Sequence, residues 1–415
     1  MIPLLEVYKE RWQVESEQAI KPGMEAIEFA LRKLGEPQKQ LNVVHLAGTN
    51  GKGSTLAFIE GMAREYGLSV GKFMSPCIVD VHDQIQVDGR PITNEQMDRM
   101  FQQLAKAGLS GKLTDFELLT AVALLYFAEQ SPDLVLIEAG MGGREDSTNV
   151  VTPIVSVVPS IALEHTNFLG NTLTSIAYHK AGILKENRPA VIGDMTEEVT
   201  EVFEKEAIQK NVLLSKFGKD FFVTKLDGTE TYEYPLQQIT ISDLQRQLLG
   251  KHQGHNMVLA ITAFLEVIKK FELLLDVQKI RNGVNNATLA GRFEQIRPNL
   301  YFDGAHNPAS IQSLVDTVKE NFPNKRIEFI IGLLADKDIK TILQLLEEVG
   351  DAFYFANIHN ERAMQAMTLY ELSQAKEKQI IDDVNEFLQG LVKGDTVRIV
   401  TGSLYLLSEI RRNMH

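Results

Sequence analysis

The chain has 415 residues, 44% of them hydrophobic and 23% charged, which is typical of an ordinary globular protein, and its length predicts two domains. Its 42 basic and 55 acidic residues give a formal net charge of −13. This balance argues against a nucleic-acid or anionic-membrane binder, because such binders rely on clustered lysine and arginine.

Three features indicate a cytoplasmic protein with no membrane partner. Cys77 is the only cysteine, so no intrachain disulfide can form and a reducing compartment is favoured. The N-terminal apolar run is short and lacks the preceding basic region of a signal peptide. The longest uncharged apolar run, residues 118–128, suits a buried helix, whereas a bilayer span needs about 20 residues.

Short apolar segments rich in β-branched residues alternate with helical patterns along the first part of the chain. This alternation predicts a mostly parallel sheet with helices on both faces. Residues 219–241 instead alternate locally around an Asp-Gly turn, which predicts an antiparallel excursion, and helices follow at 254–270 and 276–286. The other predicted strands are 41–47, 133–139, 153–158 and 189–192, and the other predicted helices are 54–66, 94–107, 116–130 and 171–185.

The alternating pattern restarts after Gly291–Arg292. The restart predicts a second, smaller α/β domain of Rossmann-like type, so we expect an N-terminal domain over residues 1–292 and a C-terminal domain over 293–415. The strands predicted for the second domain are 300–303, 326–332, 352–357 and 396–402.

GTNGKGS, residues 48–54, lies between a predicted strand and a predicted helix, as a phosphate-binding loop does. It departs from the usual G-x-x-x-x-G-K-[ST] pattern, because Leu46 replaces the first glycine and an extra Gly53 separates Lys52 from Ser54. In this loop the backbone N–H groups would turn inward, Lys52 would offset phosphate charge and Ser54 would ligate Mg²⁺. The alternative is a tight turn with an exposed lysine. The residues predicted to hold a nucleotide are Gly48, Thr49, Asn50, Gly51, Lys52, Gly53, Ser54 and Thr55.

Three other polar residues are weaker candidates from their own chemistry. Glu138 ends a predicted strand before a glycine-rich stretch, where an acidic side chain either holds a metal in the ligand crevice or is simply solvated. His165 precedes a loop, and an isolated histidine is more often structural than a ligand. Lys180 lies inside a predicted helix and by itself is typical of a solvated surface lysine.

DGAHNPAS, residues 303–310, predicts a strand-to-helix turn with an ordered helix start. Asp303 closes the strand, Asn307 suits the N-cap, and Pro308 suits the first helical position, which places His306 at the mouth of the helix. The alternative is a capping loop with no further role. In the next such turn, Asp336 is expected to cap the following helix.

An ordered set of motifs makes the chain resemble the folylpolyglutamate synthase/dihydrofolate synthase family of the Mur ligase superfamily. The set comprises HLAGTNGKGST, IEAGMGGREDSTN, the stretch from His165 to HKAGI, HQGHN, GRFE and DGAHNP, within a likeness that runs from residue 34 to residue 410. The resemblance implies an ATP-dependent ligase of folate biosynthesis and one-carbon metabolism. Such an enzyme joins L-glutamate to a folate carboxylate through an acyl phosphate.

The resemblance also implies roles for individual residues. Ser54 and Glu138 are similar to the ligands of a Mg²⁺ that bridges the β- and γ-phosphates, and His165 and a carbamylated Lys180 to the ligands of a second Mg²⁺. Carbamylation gives a lysine the anionic oxygen that a hard cation accepts. Residues 1–292 would hold ATP and the folate, and the C-terminal domain would complete the ATP and glutamate sites. The further nucleotide contacts that it implies are Asn256, Arg292, Asp303 and His306.

The folate loop departs from the family pattern, which commonly has S-P-H-L followed by E-R-I. Here Cys77 replaces the histidine, and Asp83–Gln84 replaces Glu–Arg. The implied substrates are ATP, L-glutamate and dihydropteroate or a reduced folate, and the family resemblance favours a monomer. The residues that still fit the family pattern as folate contacts are Ser75, Pro76, Phe116 and Glu117.

Two alternatives remain at this stage. One is a Mur-type ligase that acts on another acceptor, such as a cell-wall precursor. The other is a nucleotide-binding homologue without turnover, which the changes at Cys77 and Asp83–Gln84 motivate. The intact candidate ligands oppose it, namely Ser54, Glu138, His165 and Lys180.

Overall fold

The computed structural model describes residues 2–17, 23–77, 79–226, 228–390, 392 and 394–412. The chain forms two compact units, which we call the N-terminal unit (Met1–Gln247 and Gly254–Ala287) and the C-terminal unit (Leu248–Gln253 and Thr288–His415). Each unit contains a sheet of mainly parallel strands, so the predicted α/β class with two sheet domains is confirmed.

The N-terminal unit alternates strands and helices along most of its length. Its elements are α1 (Leu5–Trp12), α2 (Glu25–Lys33), β1 (Val43–Leu46), α3 (Lys52–Glu65), β2 (Val70–Phe73), β3 (Ile85–Val87), β4 (Arg90–Pro91), α4 (Asn94–Lys106), α5 (Asp115–Gln130), β5 (Leu134–Glu138), β6 (Val155–Val158), α6 (Thr166–Leu169), α7 (Leu173–Ala181), β7 (Ala190–Ile192), α8 (Glu197–Gln209), β8 (Leu214–Lys216), β9 (Phe222–Leu226), β10 (Thr229–Tyr234), β11 (Ile239–Leu244), α9 (Lys251–Lys270) and α10 (Val277–Asn285).

The main sheet of this unit has the strand order β4-β3-β2-β5-β1-β6-β7-β8, with only β3 and β4 antiparallel to their neighbours. Every residue of β1, β5 and β6 is buried. Because successive side chains of a strand point to opposite faces, the middle of the sheet is covered on both faces. The parallel strands therefore present their carboxyl ends at one edge, where ligands bind in open α/β sheets.

The predicted antiparallel excursion is the separate three-stranded sheet β11-β10-β9. It packs against α9 through Tyr232, which is fully buried and shares a 3.0 Å hydrogen bond with Thr262. This sheet belongs to the N-terminal unit.

Helix α3, which follows the predicted phosphate loop, is positioned by a backbone contact with α10. A Cβ at Gly61 would lie 2.4 Å from the Gly283 oxygen, and a Cβ at Gly283 would lie 2.5 Å from backbone atoms of Met62. Only glycine allows the two helices to approach this closely. The contact fixes α3 relative to the rest of the unit.

The C-terminal unit has a six-stranded sheet in the order β12-β13-β17-β14-β15-β16, in which only β12 is antiparallel to its neighbour. Its elements are β12 (Glu294–Arg297), β13 (Leu300–Phe302), α11 (Pro308–Asn321), β14 (Arg326–Ile331), α12 (Ile339–Glu347), β15 (Ala352–Ala356), α13 (Ala366–Leu372), β16 (Lys378–Ile381), α14 (Val384–Gln389), β17 (Thr396–Thr401) and α15 (Leu404–Arg412).

The division between the units differs from the boundary expected at residue 292. The main change falls at Ala287, and residues 248–253 also belong to the C-terminal unit. Leu249 packs on the apolar core of that unit, and Gly250 comes so near Thr317 that a Cβ would lie 2.4 Å from its Oγ1. These contacts link distant parts of the chain, which the local pattern does not reveal. In the part of the chain that the structure describes, no helix has the length and apolar character needed to cross a membrane.

Candidate active site

The predicted phosphate loop lies at the carboxyl end of β1 and turns on two glycines. Gly48 has φ 151° and Gly51 has φ 89°, a left-handed conformation that favours glycine. A Cβ at Gly51 would lie 2.4 Å from Asn256 Oδ1. The structure therefore places Asn256, predicted as a nucleotide contact, directly beside the loop.

The start of α3 leaves backbone donors at the loop. The Thr55 N–H donates to the Gly51 oxygen at 2.9 Å and makes the first bond of the helix. The N–H groups of residues 52–54 therefore have no acceptor within the helix, as in any first helical turn. Together with the positive end of the helix dipole, they suit the binding of an anion.

Lys52 folds back over the loop. Its ammonium group donates to the Gly48 oxygen at 2.8 Å and lies 3.6 Å from a Glu138 carboxylate oxygen. The alternative of a turn with an exposed lysine is therefore wrong.

A segment after β6 holds the loop from the other side, and the sequence did not indicate it. The Thr49 N–H donates to the Ser160 oxygen at 2.9 Å, and the Asn50 N–H donates to the Ser160 hydroxyl at 3.0 Å. The Thr49 hydroxyl donates to the Ala162 oxygen at 3.1 Å. These bonds fix the loop conformation without using the N–H groups at the start of α3.

Glu138 is the last residue of β5 and pairs with Leu46 of β1. Only 7% of Glu138 is exposed, so the alternative of a solvated carboxylate is wrong. Close by, the Phe116 ring covers Gly140, where a Cβ would lie 2.5 Å from the ring. The same ring stacks on Phe73, with centroids 5.8 Å apart.

The glycine-rich loop after Glu138 interlocks with α7. A Cβ at Gly143 would lie 3.0 Å from the His179 oxygen and 3.1 Å from the Lys180 oxygen. The Arg144 N–H donates to the His179 oxygen at 2.7 Å. This contact fixes the helix that carries Lys180 against the strand end that carries Glu138.

Lys180 is buried, with 3% of the residue exposed, so the expectation of a solvated surface lysine from its own chemistry is wrong. Burial and, to a smaller extent, the charge of Lys52 lower the pKa of Lys180 to about 7, whereas Glu164, Asp146 and Glu138 act in the opposite direction. The predicted residues Lys52, Glu138 and Lys180 thus form one electrostatic cluster.

Unlike these buried residues, His165 is exposed to solvent. It has φ 50° and immediately precedes α6. In the described ranges, no group of three or more His, Cys, Asp and Glu side chains is arranged to hold a metal ion.

The Ser54 hydroxyl and the Glu138 carboxylate are nevertheless hard oxygen donors of the type that Mg²⁺ takes in small numbers beside phosphates. Their chemistry therefore fits the predicted ion.

A buried polar network supports the glycine-rich loop and was not predicted. The Asp146 carboxylate accepts hydrogen bonds from the Met141 N–H at 2.8 Å and from the Thr148 hydroxyl at 2.5 Å. The Thr148 hydroxyl also shares a 2.9 Å hydrogen bond with Nε2 of His45, which is fully buried. The sequence hints at this network only through His45, a polar residue within the apolar segment that forms β1.

In the C-terminal unit, three predicted nucleotide contacts lie together. The Asp303 carboxylate accepts hydrogen bonds from the N–H groups of Phe293 and Ala305, and it interacts electrostatically with Arg292 and His306. Burial raises the pKa of Asp303, and Arg292 opposes this shift most strongly. The Asn307 cap and the Pro308 helix start are confirmed.

In the neighbouring turn of the C-terminal unit, the expected cap is wrong. Asp338, not Asp336, caps α12, because the Asp338 carboxylate accepts a hydrogen bond from the Thr341 N–H at 3.3 Å. Asp336 instead lies 3.5 Å from the Lys337 ammonium group.

The loop after β2 is ordered by its own residues. Ser75 and Pro76 are joined by a cis peptide bond, and Cys77 is buried. The Gln84 backbone oxygen accepts a hydrogen bond from the Met74 N–H at 3.0 Å, and the Asp83 carboxylate accepts one from the Val79 N–H.

Glu117, predicted as a folate contact, takes part in the start of α5. Its carboxylate accepts hydrogen bonds from the Thr114 N–H and hydroxyl, both at 2.8 Å. This reciprocal arrangement is a capping box. The structure therefore gives Glu117 a local role, whereas Phe116 beside it faces the glycine-rich loop.

Comparison with known proteins identifies similar chains over almost the whole length. Residues 46–264 match the Mur ligase middle domain, and residues 291–404 match the Mur ligase glutamate ligase domain. The dihydrofolate synthase/folylpolyglutamate synthase of Bacillus subtilis is 35% identical over 95% of each chain. The folylpolyglutamate synthase of Lacticaseibacillus casei is 34% identical over 92% of each chain. The structure of Escherichia coli FolC in complex with DHPP and ADP has a TM-score of 0.90 and 29% identity, and the match covers 99% of this chain and 97% of that one.

The network around His45 predicts a pH dependence of stability. Burial lowers the pKa of His45 to about 3 from its ordinary 6.5. Between these values the unfolded chain binds one more proton than the folded chain, so the free energy of unfolding falls on acidification by up to about 1.4 kcal/mol per pH unit. We expect His45→Gln, which keeps a polar partner for Thr148 and does not titrate, to lose this contribution.

Denaturant unfolding of both proteins between pH 7.5 and pH 5 measures the effect. Since all other groups titrate in both proteins, the difference between their slopes isolates His45. Equal slopes would contradict the assignment of a neutral buried histidine.

Proposed function

The chain belongs to the folylpolyglutamate synthase/dihydrofolate synthase family of the Mur ligase superfamily, and we propose that it joins L-glutamate to the carboxylate of dihydropteroate or of a reduced folate. The reaction depends on ATP. The observation that carries the proposal is the cluster of Lys52, Glu138 and Lys180 around a phosphate loop with unused N–H groups.

The chemistry explains why ATP is needed. A carboxylate is a poor acylating agent, because its leaving group would be oxide. Transfer of the γ-phosphoryl group to the carboxylate oxygen forms an acyl phosphate and releases ADP. The glutamate amine then attacks the acyl carbon, the C–N bond forms, the amine loses a proton and phosphate leaves.

The phosphate loop performs the electrostatic part of this reaction. The N–H groups of residues 52–54 bind phosphate oxygens, and the Lys52 ammonium offsets the charge that develops during phosphoryl transfer. Asn256, beside Gly51, contacts the nucleotide. From the C-terminal unit, we assign Arg292, Asp303 and His306 to the same nucleotide on the basis of the family resemblance.

Two Mg²⁺ ions complete the proposed site. Ser54 and Glu138 would hold the first, and His165 and Lys180 the second. Bound Mg²⁺ would neutralise phosphate charge and orient the transferring group. Ser54 and Glu138 are both buried, at 2% and 7% exposed, so their oxygen donors are shielded from bulk water.

We propose that Lys180 is carbamylated, which the burial of its side chain favours. A neutral amine can attack CO₂, so that an N–C bond forms and a proton is released. The product is an anion, and Lys52 lies within electrostatic range to stabilise it. An ammonium group at the same position would repel Mg²⁺.

The folate acceptor is assigned to the side of the site that Phe116 covers. Phe116 offers an aromatic face beside Gly140, and Phe73, which it stacks on, leads directly into Ser75 and Pro76. Glu117 enters this assignment on the family resemblance. We further propose that the enzyme acts as a cytoplasmic monomer.

Phosphate release from ATP tests the function. With Mg²⁺ and L-glutamate, we expect release that depends on dihydropteroate or tetrahydrofolate and none with a cell-wall precursor. Calorimetry with ATP establishes that the protein sample is active in binding. Nucleotide binding without release in the presence of either folate acceptor would contradict the proposal and favour the homologue without turnover.

Replacement of Lys52 tests the phosphate loop. We expect Lys52→Ala to reduce kcat by roughly 10²–10³-fold, because the charge that stabilises the transferring phosphoryl group is lost. Lys39→Ala is the matched control, since the Lys39 side chain is 66% exposed and pairs with Glu36 on the surface. Steady-state phosphate release measures both, and an unchanged kcat in Lys52→Ala would show that the loop assignment is wrong.

Replacement of Lys180 tests the carbamate. We expect Lys180→Ala to lose activity and to regain part of it with acetate or propionate, because a short carboxylate replaces the missing oxygen donor. The control is Lys185→Ala, because Lys185 is half-buried and donates to the Asn149 backbone oxygen at 2.6 Å. We expect carboxylates not to raise its activity. Rescue of Lys180→Ala by methylammonium instead of carboxylate would show that Lys180 acts as a cation.

A further inference from the structure

The first residues of the chain contact both segments that were predicted to hold the folate. We call residues 2–17, which include α1, the N-terminal clasp. One of the segments is the loop after β2 (residues 75–77 and 79–84), and the other is the start of α5 with Phe116. The proposed function assigns no role to the clasp.

At the loop, the clasp makes a backbone bond and a side-chain relay. The Val81 N–H donates to the Pro3 oxygen at 3.1 Å. The Tyr8 hydroxyl shares a 2.7 Å hydrogen bond with His82 Nε2, and His82 Nδ1 shares one of 2.7 Å with the Asp80 carboxylate. Asp80 also accepts a hydrogen bond from the His82 N–H at 2.9 Å. The loop is thus tied to α1 through His82.

The Tyr8 hydroxyl also connects the loop to α4. It donates to Asn94 Oδ1 at 2.6 Å, and the Tyr8 ring stacks on Phe101 of the same helix with centroids 5.6 Å apart. Only 3% of Tyr8 is exposed. One buried hydroxyl therefore joins α1, α4 and the loop.

At α5, the clasp contacts the residues around the helix start. The Lys9 ammonium donates to the Asp115 carboxylate at 3.1 Å, and only 8% of Lys9 is exposed. The Glu17 N–H donates to the Leu113 oxygen at 2.8 Å. These bonds fix the start of α5 immediately before Phe116.

The two segments that the clasp contacts both adjoin the aromatic surface that Phe73 and Phe116 form. Phe116 stacks on Phe73, which lies at the end of β2 immediately before the loop, and Phe116 covers Gly140 close to Glu138. A shift of either segment would move this aromatic surface relative to Glu138. The phosphate loop is held separately by Ser160 and Ala162.

We propose that Tyr8 is a positioning residue for the acceptor substrate, because its hydroxyl fixes the loop after β2 through His82. This inference rests on the proposed function. It predicts a selective loss: weakening of the clasp reduces the apparent affinity for the folate acceptor and leaves that for ATP unchanged.

Tyr8→Phe removes the hydroxyl and keeps the ring on Phe101. We expect the KM for the folate acceptor to rise roughly 3- to 10-fold, the effect of losing one or two hydrogen bonds, while the KM for ATP stays within about 2-fold. The matched control is Tyr126→Phe. Tyr126 is also 3% exposed, lies in the same apolar core and bonds Gln96 instead of the loop.

A double-mutant cycle adds a measurement that general destabilisation does not reproduce. If Tyr8 acts through His82, Tyr8→Phe and His82→Ala each raise the acceptor KM, and the double variant raises it no further than the larger single change. We expect Tyr126→Phe and His82→Ala to combine additively. Thermal unfolding of each variant shows whether the proteins remain folded at the assay temperature.

The outcomes separate the two levels of the argument. If the unaltered protein turns over no folate acceptor, the proposed function fails before the clasp is tested. If it turns over but Tyr8→Phe and Tyr126→Phe have the same acceptor KM, or if the KM for ATP rises equally, Tyr8 has only a structural role. Additive effects of Tyr8→Phe and His82→Ala would overturn the coupling through His82.

Discussion

The candidate site depends on the close backbone contact between the glycine-rich loop after β5 and helix α7. At Gly143 a side chain would meet the backbone oxygens of His179 and Lys180, and the Arg144 N–H donates to His179. Because loop and helix are held at this spacing, the Lys180 side chain is buried within electrostatic range of Glu138 instead of reaching solvent. A larger residue at position 143 would separate the two groups that the proposed chemistry needs together.

This arrangement is unfavourable for a charged lysine at position 180. Burial disfavours the charged form of a lysine, and a second cation at Lys52 adds to the cost. A well-packed apolar side chain at position 180 would avoid both effects, so packing alone does not explain a lysine there. The His45, Thr148 and Asp146 network holds the loop that opposes Lys180, since the Asp146 carboxylate accepts hydrogen bonds from the Met141 N–H and the Thr148 hydroxyl.

The parts of the fold that local patterns encode could be predicted from the sequence. The apolar run that forms β1, the helix of α3 and the cap at Asn307 follow from periodicity and capping chemistry. β2 was missed, since its four residues include Gly71 and Lys72, and its strand pairing is decided by β5. The burial of Lys180 and the contacts of Asn256 could not be derived from spacing, because each depends on residues far away in the chain. The family resemblance indicated these residues without giving their environment.

The loop after β2 shows why departures from a family pattern do not by themselves indicate lost function. A loop that had drifted after losing its role would be expected to lose its internal contacts. Here Asp83 accepts a hydrogen bond from the Val79 N–H, Cys77 is buried, and His82 connects Asp80 to Tyr8. The residues that differ therefore lie in an ordered loop, which contacts the N-terminal clasp through Val81 and His82. This organisation favours the proposed acceptor site, with altered contacts, over a homologue without turnover.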